Sequence, residues 1–210
     1  MRNRFARLSF IVLNIVKIEE PTTSSSTLPN ESRLVRQARS GDPDAFAQLY
    51  DAYMERVYRY IYFRVTDDLL AEDLTSQVFL KAWEHLGQYQ PGGSPFLAWL
   101  YTIARNLVID HYRAQKESVP LEKALAIPSE GQTVGEQVEF RFEIQAMRDA
   151  LQFLTEEQQQ VLILKFIVGL ETREIARMMK KAEGAVRALQ MRALQTLAKY
   201  LESEKVYGNI

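Results

Sequence analysis

The side chains best suited to chemistry in this sequence are a cluster of cations near its C-terminus. Between Arg173 and Lys199 stand seven basic residues against Glu174 and Glu183, a local net charge of +5 on a chain whose formal net charge is −1. Such a local excess suits the neutralisation of phosphate groups, because each phosphate contact releases condensed counterions. The cluster indicates nucleic-acid binding, although a solvated helix face can have the same composition.

A short helix, a tight turn and a longer helix are needed to present these cations. The stretches "TREIARMM" and "AEGAVRALQMRALQTLAKYL" carry apolar residues at helical spacing, which predicts a helix-turn-helix. Ala176 is the small residue that the crossing of the two helices needs. The inward-facing positions are predicted to be Ile175, Ala176, Met179, Val186 and either Leu189 or Gln190.

In a helix-turn-helix the N-terminal part of the second helix enters the major groove of DNA. The predicted DNA-contacting residues are Lys180, Lys181, Glu183, Gly184, Arg187, Met191 and Arg192. Gly184 would let the backbone approach the DNA closely. The turn itself is predicted to be marginal. Lys180 and Lys181 stand where a left-handed glycine is common, and Ala182 takes the cap position that serine would favour.

Catalysis is not indicated by any constellation of residues. The chain has no cysteine, which excludes disulfides, cysteine-ligated zinc and thiol nucleophiles. His85 and His111 are isolated, and nothing nearby in sequence supplies a nucleophile with its base. A cluster of four acidic residues could suggest a metal site, but acids at the start of a helix are better explained by the helix dipole. These residues are Asp67, Asp68, Glu72 and Asp73. We therefore expect no enzyme activity, no cofactor and no metal.

The periodicity of the whole chain predicts an all-α protein. No strand pattern is evident, and two small helical domains joined by a flexible linker are expected, the C-terminal one containing the helix-turn-helix. The first domain is predicted over residues 33–117 and the second over residues 140–205. The linker is predicted over residues 118–139, where prolines and glycines interrupt the apolar pattern.

Residues 1–32 are expected to be a disordered extension, or sequence translated from a start codon upstream of the true one. Leu8–Val16 is an uncharged run of nine residues, whereas a membrane-spanning helix needs about 20. A secretion signal is disfavoured because Lys17, Glu19 and Glu20 stand where a neutral cleavage region should be. We expect no membrane insertion.

Several helix starts can be assigned from local chemistry. Asp42 is predicted to cap a helix with Pro43 at its first position, and Thr66 to cap the next one. Thr155 and Gln158 have the spacing of a capping box. The core-facing stripe of the helix after Thr66 is predicted to comprise Leu70, Leu74, Val78, Phe79, Ala82, Trp83 and Leu86.

Three motifs, in their order and spacing, together resemble an extracytoplasmic-function (ECF) sigma factor, a two-domain member of the bacterial sigma-70 family. They are "AEDLTSQVFLKAWEHLGQY", "FLAWLYTIARNLVIDHYR" and "LTEEQQQVLILKFIVGLETREIARMMKKAEGAVRALQMRAL". The likeness covers roughly residues 33 to 201. It implies a first domain that binds RNA polymerase core and opens the promoter −10 element, and a second domain that reads the −35 element. The linker, acidic over Glu117–Glu143, would lie in the channel of the nascent RNA.

The resemblance also implies partners and site residues. The implied partners are bacterial RNA polymerase core, promoter DNA and an anti-sigma factor, with a cytoplasmic location. Polymerase docking is expected at Asp73, Thr75, Ser76, Gln77 and Lys81. Recognition of the −10 element is expected at Tyr89, Gln90, Ser94, Arg105, Asn106, Asp110 and Arg113. Recognition of the −35 element is expected at the seven DNA-contacting residues named above for the helix-turn-helix. Ala185, Ala188 and Leu189 stand where relatives often have Ser, Thr or Arg, so these three positions offer no side-chain hydrogen bonds to the DNA.

Two other classes of function remain open from the residues alone. One is a one-component transcriptional regulator, with a helical sensor domain before the helix-turn-helix. The other is an adaptor that uses its helices for protein contacts only. A regulator, however, has no need of "DLTSQVFLKAW" followed by a Gly/Pro loop and "ARNLVIDHYR". Trp99 in the third helix is predicted to belong to the core, because aromatic residues at helical spacing are usually buried.

Overall fold

The computed structural model describes residues 28, 30–90, 95–118 and 135–207 of the chain. Within these residues the structure is helical and contains no strand, which confirms the all-α prediction. The helices are α1 (Glu31–Arg39), α2 (Pro43–Tyr62), α3 (Asp68–Glu84), α4 (Phe96–Ser118), α5 (Gly135–Gln152), α6 (Glu156–Leu162), α7 (Thr172–Met179) and α8 (Glu183–Tyr207). A 3-10 turn (Leu86–Gln88) follows α3, and a π-helical turn (Ile163–Ile167) continues α6. The predictions for residues 1–27, Ser94 and most of the linker lie outside the described residues.

Local capping chemistry explains where α2, α3 and α6 begin. The Asp42 carboxylate accepts hydrogen bonds from two backbone N–H groups of the first turn of α2, and Pro43 occupies its first position, as predicted. The capping box of Thr155 and Gln158 is also confirmed. The prediction of Thr66 as a cap is wrong. Asp67 caps α3 instead, because its backbone is extended and its carboxylate accepts the Leu70 N–H at 2.8 Å.

Helix α1 begins at Glu31, two residues before the predicted start of the first domain. It packs Leu34, Val35 and Ala38 against the core. The buried Glu31 carboxylate accepts hydrogen bonds from the Tyr53 hydroxyl and from the Phe96 N–H at the start of α4. Burial and the bond to Glu31 raise the pKa of Tyr53. Glu31 therefore ties α1 to both α2 and α4.

The first helical unit, α1–α4, buries a core to which α2 and α4 contribute most. The fully buried side chains of α2 are Leu49, Tyr53, Val57, Tyr60 and Ile61. The predicted stripe is buried at Leu74, Val78, Phe79 and Ala82 of α3 and at Leu86 of the 3-10 turn, whereas Leu70 is half-buried. Trp83 departs from that stripe, since it is 40% exposed near the end of the helix. Burial of these apolar surfaces is the main stabilising contribution to the unit.

The second helical unit, α5–α8, begins earlier than predicted. Helix α5 starts at Gly135, inside the stretch 118–139 that was predicted to be linker. The prediction relied on an apolar stripe, which becomes evident only from Phe140 onwards. Glycine is compatible with a helix start, where its N–H needs no partner within the helix. A second glycine, Gly169, has a φ of 81° and turns the chain from the π-helical segment towards α7.

Candidate nucleic-acid interface

The helix-turn-helix is formed by α7 and α8 around a left-handed residue. Lys180 has φ 53° and ψ 45°, and the Lys181 N–H donates to the Ala176 carbonyl at 2.9 Å, which closes the end of α7. The two helices pack through the buried residues Ile175, Ala176, Val186 and Leu189, as predicted. Of the two alternatives for the last position, the structure selects Leu189 for the core, and Gln190 is only half-buried.

Lys180 has a strained backbone conformation and lies in the turn just before α8. A non-glycine residue in the left-handed region costs about 1–2 kcal/mol. We expect Lys180→Gly to stabilise the protein by up to about 1 kcal/mol in denaturant unfolding, because that strain is relieved, although glycine also gains freedom in the unfolded chain. The same substitution removes the predicted phosphate contact, so the affinity for DNA should weaken and the salt slope should fall by about 1.

Lys180→Ala is the matched control for this prediction. Alanine removes the charge and keeps a Cβ in the left-handed conformation. Its affinity should therefore fall as in Lys180→Gly while its stability does not rise. Equal stability of the two variants would contradict the strain, and unchanged affinity of both would contradict the phosphate contact.

The outer face of α8 presents the predicted recognition residues together. Glu183, Gly184, Arg187, Met191 and Arg192 are all exposed. The Arg187 guanidinium forms an ion pair with the Glu183 carboxylate at 3.1 Å, one helical turn away. A Cβ added to Gly184 would meet nothing within 4 Å in this chain. The fold itself therefore does not require glycine there, which fits the hypothesis that an external surface approaches this position.

Two acidic residues at the start of α6 are paired with predicted DNA-contacting cations. The Lys181 ammonium lies 2.8 Å from the Glu157 carboxylate, and the Arg105 guanidinium from α4 pairs with Glu156. Both pairs are partly exposed, and such pairs contribute roughly 0–1 kcal/mol. Exchange of these carboxylates for DNA phosphates is therefore inexpensive in free energy. Neither pairing is evident from the sequence, because its two partners are far apart along the chain.

The predicted −10 residues of α4 share one side of the helix. Asn106, Asp110 and Arg113 are exposed, and Arg105 is half-buried beside them. Trp99 packs against the core, which agrees with its prediction as a core residue. The part of the −10 prediction that falls on Ser94 lies outside the described residues.

Tyr89 belongs to an aromatic cluster that the sequence did not reveal. Its ring is buried and lies 5.4 Å from the Phe96 ring and 5.2 Å from the Trp99 ring, measured between centroids. Burial raises the pKa of Tyr89 to about 12, so the phenol is neutral at physiological pH. In this arrangement the ring contributes to the core, and its neighbour Gln90 is exposed.

The predicted polymerase-docking face on α3 is mostly exposed. Asp73, Ser76 and Lys81 are open to solvent, and the Gln77 amide donates to the Asp73 carboxylate at 2.8 Å. Thr75 is an exception. It is buried and its hydroxyl donates to the Ala71 carbonyl at 2.7 Å, so it does not lie on the exposed face with the other predicted docking residues.

An exposed apolar surface, which we call the aromatic face, lies beside these polar residues. It comprises Tyr50 and Met54 from α2 and Leu80 and Trp83 from α3. The Trp83 ring meets the Phe46 ring edge-on at 4.9 Å, and the Tyr50 ring meets Phe79 at 4.6 Å. Exposed apolar side chains grouped on two packed helices are typical of protein-interaction surfaces. Trp83 continues the apolar stripe of α3 in the sequence and was predicted to be buried, so this face could not be predicted.

Two further observations concern other kinds of site. Among the described residues, no group of three or more His, Asp or Glu side chains is arranged to hold a metal ion. In the same part of the chain, none of the helices combines the length and the apolar character that a membrane span requires.

Comparison with known families agrees with this geometry. The sigma-70 region 2 family matches residues 49–118, and the sigma-70 region 4 family matches residues 144–197. The ECF RNA polymerase sigma factor BldN of Streptomyces coelicolor is 42% identical over 173 residues, which are 81% of this chain and 66% of BldN. The sigma factor SigD of Mycobacterium tuberculosis is 32% identical over 173 residues, which are 78% of this chain and 80% of SigD.

Solved structures are similar in fold. CnrH, in complex with the cytosolic domain of CnrY, has a TM-score of 0.65 at 24% identity and covers 84% of this chain and 99% of its own. RpoE of Bartonella quintana, in complex with the anti-sigma factor NepR, has a TM-score of 0.58 at 23% identity and covers 75% of this chain and 96% of its own.

A helical fold over the described residues with a basic helix-turn-helix is typical of a class of DNA-recognition proteins. Within that class, the chain belongs to the ECF sigma factors of the sigma-70 family. The function of this family is promoter-specific transcription initiation by RNA polymerase, and its members are in general non-enzymatic DNA-recognition subunits.

Proposed function

We propose that this chain binds RNA polymerase core and directs it to promoters by contacting two DNA elements. Residues 33–117 would bind the polymerase and the −10 element, residues 140–205 would read the −35 element, and residues 118–139 would connect them. The observation that carries the proposal is the division of α8 into two faces. Val186 and Leu189 are buried and pack α8 against the second helical unit, while Arg187 and Arg192 remain exposed.

The −35 element is assigned to the exposed face of the helix-turn-helix. An arginine can hydrogen-bond two acceptors of a guanine, and lysines beside the helix can neutralise phosphates. The proposed −35 contacts are Lys180, Lys181, Glu183, Gly184, Arg187, Met191 and Arg192. The ion pair of Arg187 with Glu183 supports this assignment, because it holds the guanidinium over the N-terminal turns of α8, which enter the groove.

The −10 element is assigned to the exposed side of α4 and to the segment before it. The proposed contacts are Gln90, Ser94, Arg105, Asn106, Asp110 and Arg113. Tyr89 is proposed to support this site from below with its buried ring. Extruding a base from duplex DNA costs a few kcal/mol, and polar groups that bind its edges offset that cost. The exposure of Gln90 and Asn106 supports such a role.

Polymerase docking is assigned to α3 together with the aromatic face. Asp73, Ser76, Gln77 and Lys81 supply polar contacts, whereas Thr75 is buried and is left out of the proposed contact. An interface with an apolar centre and a polar rim is the usual arrangement for a stable protein complex. Leu80 and Trp83 are exposed on the same helix as these polar residues, which supports a protein partner for this surface.

The same proposal extends to partners and location. An anti-sigma factor is a proposed partner, because the RpoE structure of similar fold was solved with the anti-sigma factor NepR. A cytoplasmic location is proposed, because bacterial polymerase and the chromosome lie there. The chain is proposed not to be an enzyme and to need no cofactor, since its proposed function consists of binding and positioning.

Run-off transcription with purified bacterial polymerase core tests the proposed function. The full chain added to core is expected to give transcripts of defined length from its own promoters, whereas core alone gives none. A one-component regulator would give none either, because it needs another sigma factor for initiation. Absence of both core binding and specific initiation would overturn the proposal.

A further inference from the structure

The two helical units are joined by one deeply buried cation. The side chain of Arg148, on α5, is only 2% exposed. Its Nε and Nη2 donate to the Val65 carbonyl at 3.2 and 3.0 Å, and its Nη1 donates to the Asp68 carboxylate at 2.6 Å. The guanidinium carbon lies 3.8 Å from the centroid of the Tyr62 ring. Tyr62, Val65 and Asp68 all belong to the first unit, and we call them the arginine socket.

The chemistry of the socket is specific for a guanidinium. Val65 is buried in the loop between α2 and α3, where its carbonyl group belongs to no helical hydrogen-bond ladder and needs a donor from elsewhere. A planar guanidinium presents several N–H groups in a fixed fork and can stack on an aromatic ring, whereas an ammonium is a compact point charge. The socket offers one carbonyl, one carboxylate and one ring face, and Arg148 uses all three.

Neighbouring contacts extend the same junction. The Gln152 amide donates to the Arg64 carbonyl at 3.5 Å, and the π-helical turn Ile163–Ile167 lies against α2. Arg105 of the first unit pairs with Glu156 of the second. The junction therefore pairs one of the proposed −10 contacts with a carboxylate from the other half of the chain.

We infer that the arginine socket holds the free chain in a closed arrangement, with Arg148 as the latch and Arg105 masked by Glu156. Release of Arg148 separates the units and frees Arg105 for DNA. The closed arrangement stands on the contacts alone, and its role in masking promoter recognition rests on the proposed function. The Asp68 carboxylate is 63% exposed, so solvent and competing cations reach the rim of the socket without prior unfolding.

Energy transfer between two dyes on the full chain tests the latch. The chain has no native cysteine, so Glu55→Cys on α2 and Gln195→Cys on α8 give one labelling site in each unit, both exposed. Arg148→Ala is expected to shift the closed-to-open ratio by roughly tenfold or more towards open, because several charge-assisted hydrogen bonds are lost at once. Arg148→Lys is expected to give an intermediate shift, since it keeps the charge and loses the fork.

Arg36→Ala is the matched control, because it removes an exposed arginine of α1 outside the junction. It should leave energy transfer unchanged. Should Arg148→Ala disturb folding, as judged by circular dichroism, Tyr62→Leu opens the socket from the other side and is expected to lower energy transfer in the same direction. Unchanged energy transfer in folded variants on both sides of the socket would overturn the closed arrangement.

DNA binding by the free chain tests the masking. Arg148→Ala is expected to raise affinity for a promoter fragment several-fold in gel shifts without polymerase. If the two units separate in Arg148→Ala but the affinity for the promoter fragment does not rise, Glu156 does not mask Arg105. If the chain fails to bind polymerase at all, the proposed function fails, while the energy-transfer result still decides the latch.

Discussion

Leu189→Arg is expected to unfold the helix-turn-helix rather than add a DNA contact. Leu189 is 6% exposed and packs between α7 and α8 beside Ile175 and Val186. Truncating a buried leucine to alanine costs roughly 2–5 kcal/mol, and an arginine at this position adds the desolvation of a charge without a partner. The measurement is denaturant unfolding followed by circular dichroism, with an expected loss of at least this size.

Ala188→Arg is the matched control, one residue away on the exposed side of the same helix. It should leave stability within about 0.5 kcal/mol, because surface substitutions seldom do more. It should also strengthen promoter binding through an added phosphate contact. Stability of Leu189→Arg equal to that of Ala188→Arg would contradict the assignment of Leu189 to the core.

Helix starts and the helix-turn-helix could be predicted because they depend on residues close together in sequence. The capping box at Thr155 and Gln158 and the left-handed Lys180 follow from chemistry within a few residues. The competition between Thr66 and Asp67 could not be resolved in this way. Both side chains can cap a helix, and the choice depends on which backbone is extended in the folded chain.

The width of a buried helix face could not be read from its apolar stripe. Thr75 is buried although its side chain is polar, because its hydroxyl bonds the carbonyl one turn back and needs no water. Trp83 continues the stripe in sequence, yet it stands one residue before the end of α3 and stays partly exposed. How far neighbouring helices extend decides both cases, and that is a tertiary property.

The junction between the two units was beyond any pattern in the sequence. Arg148 and Val65 are separated by 83 positions, and nothing around Arg148 distinguishes it from other cations of an amphipathic helix. Its partner is a backbone carbonyl, which every residue possesses. Side-chain motifs predict what a surface can bind, whereas contacts to backbone atoms depend on the arrangement of elements in space.

Arg187→Ala is expected to weaken promoter binding by about 1–3 kcal/mol and to relax the choice of base at one position of the −35 element. Arg187 is 66% exposed on the second turn of α8, where a bidentate contact to a guanine edge is possible. Stability should hardly change, because its ion pair with Glu183 is exposed and such pairs contribute about 0.3–0.5 kcal/mol. Gel shifts of the holoenzyme on promoters substituted at single −35 positions measure both effects.

Lys199→Ala separates base reading from simple loss of charge. Lys199 is exposed on the same helix, three turns beyond Arg187 and away from the turns that enter the groove. Its removal should lower affinity little and equally for all promoter variants. If Arg187→Ala behaves in the same way, with no change in base preference, then Arg187 acts only through its charge. Base discrimination would then fall to Glu183 and Arg192, because the remaining exposed positions of the helix offer few side chains that can hydrogen-bond to a base edge.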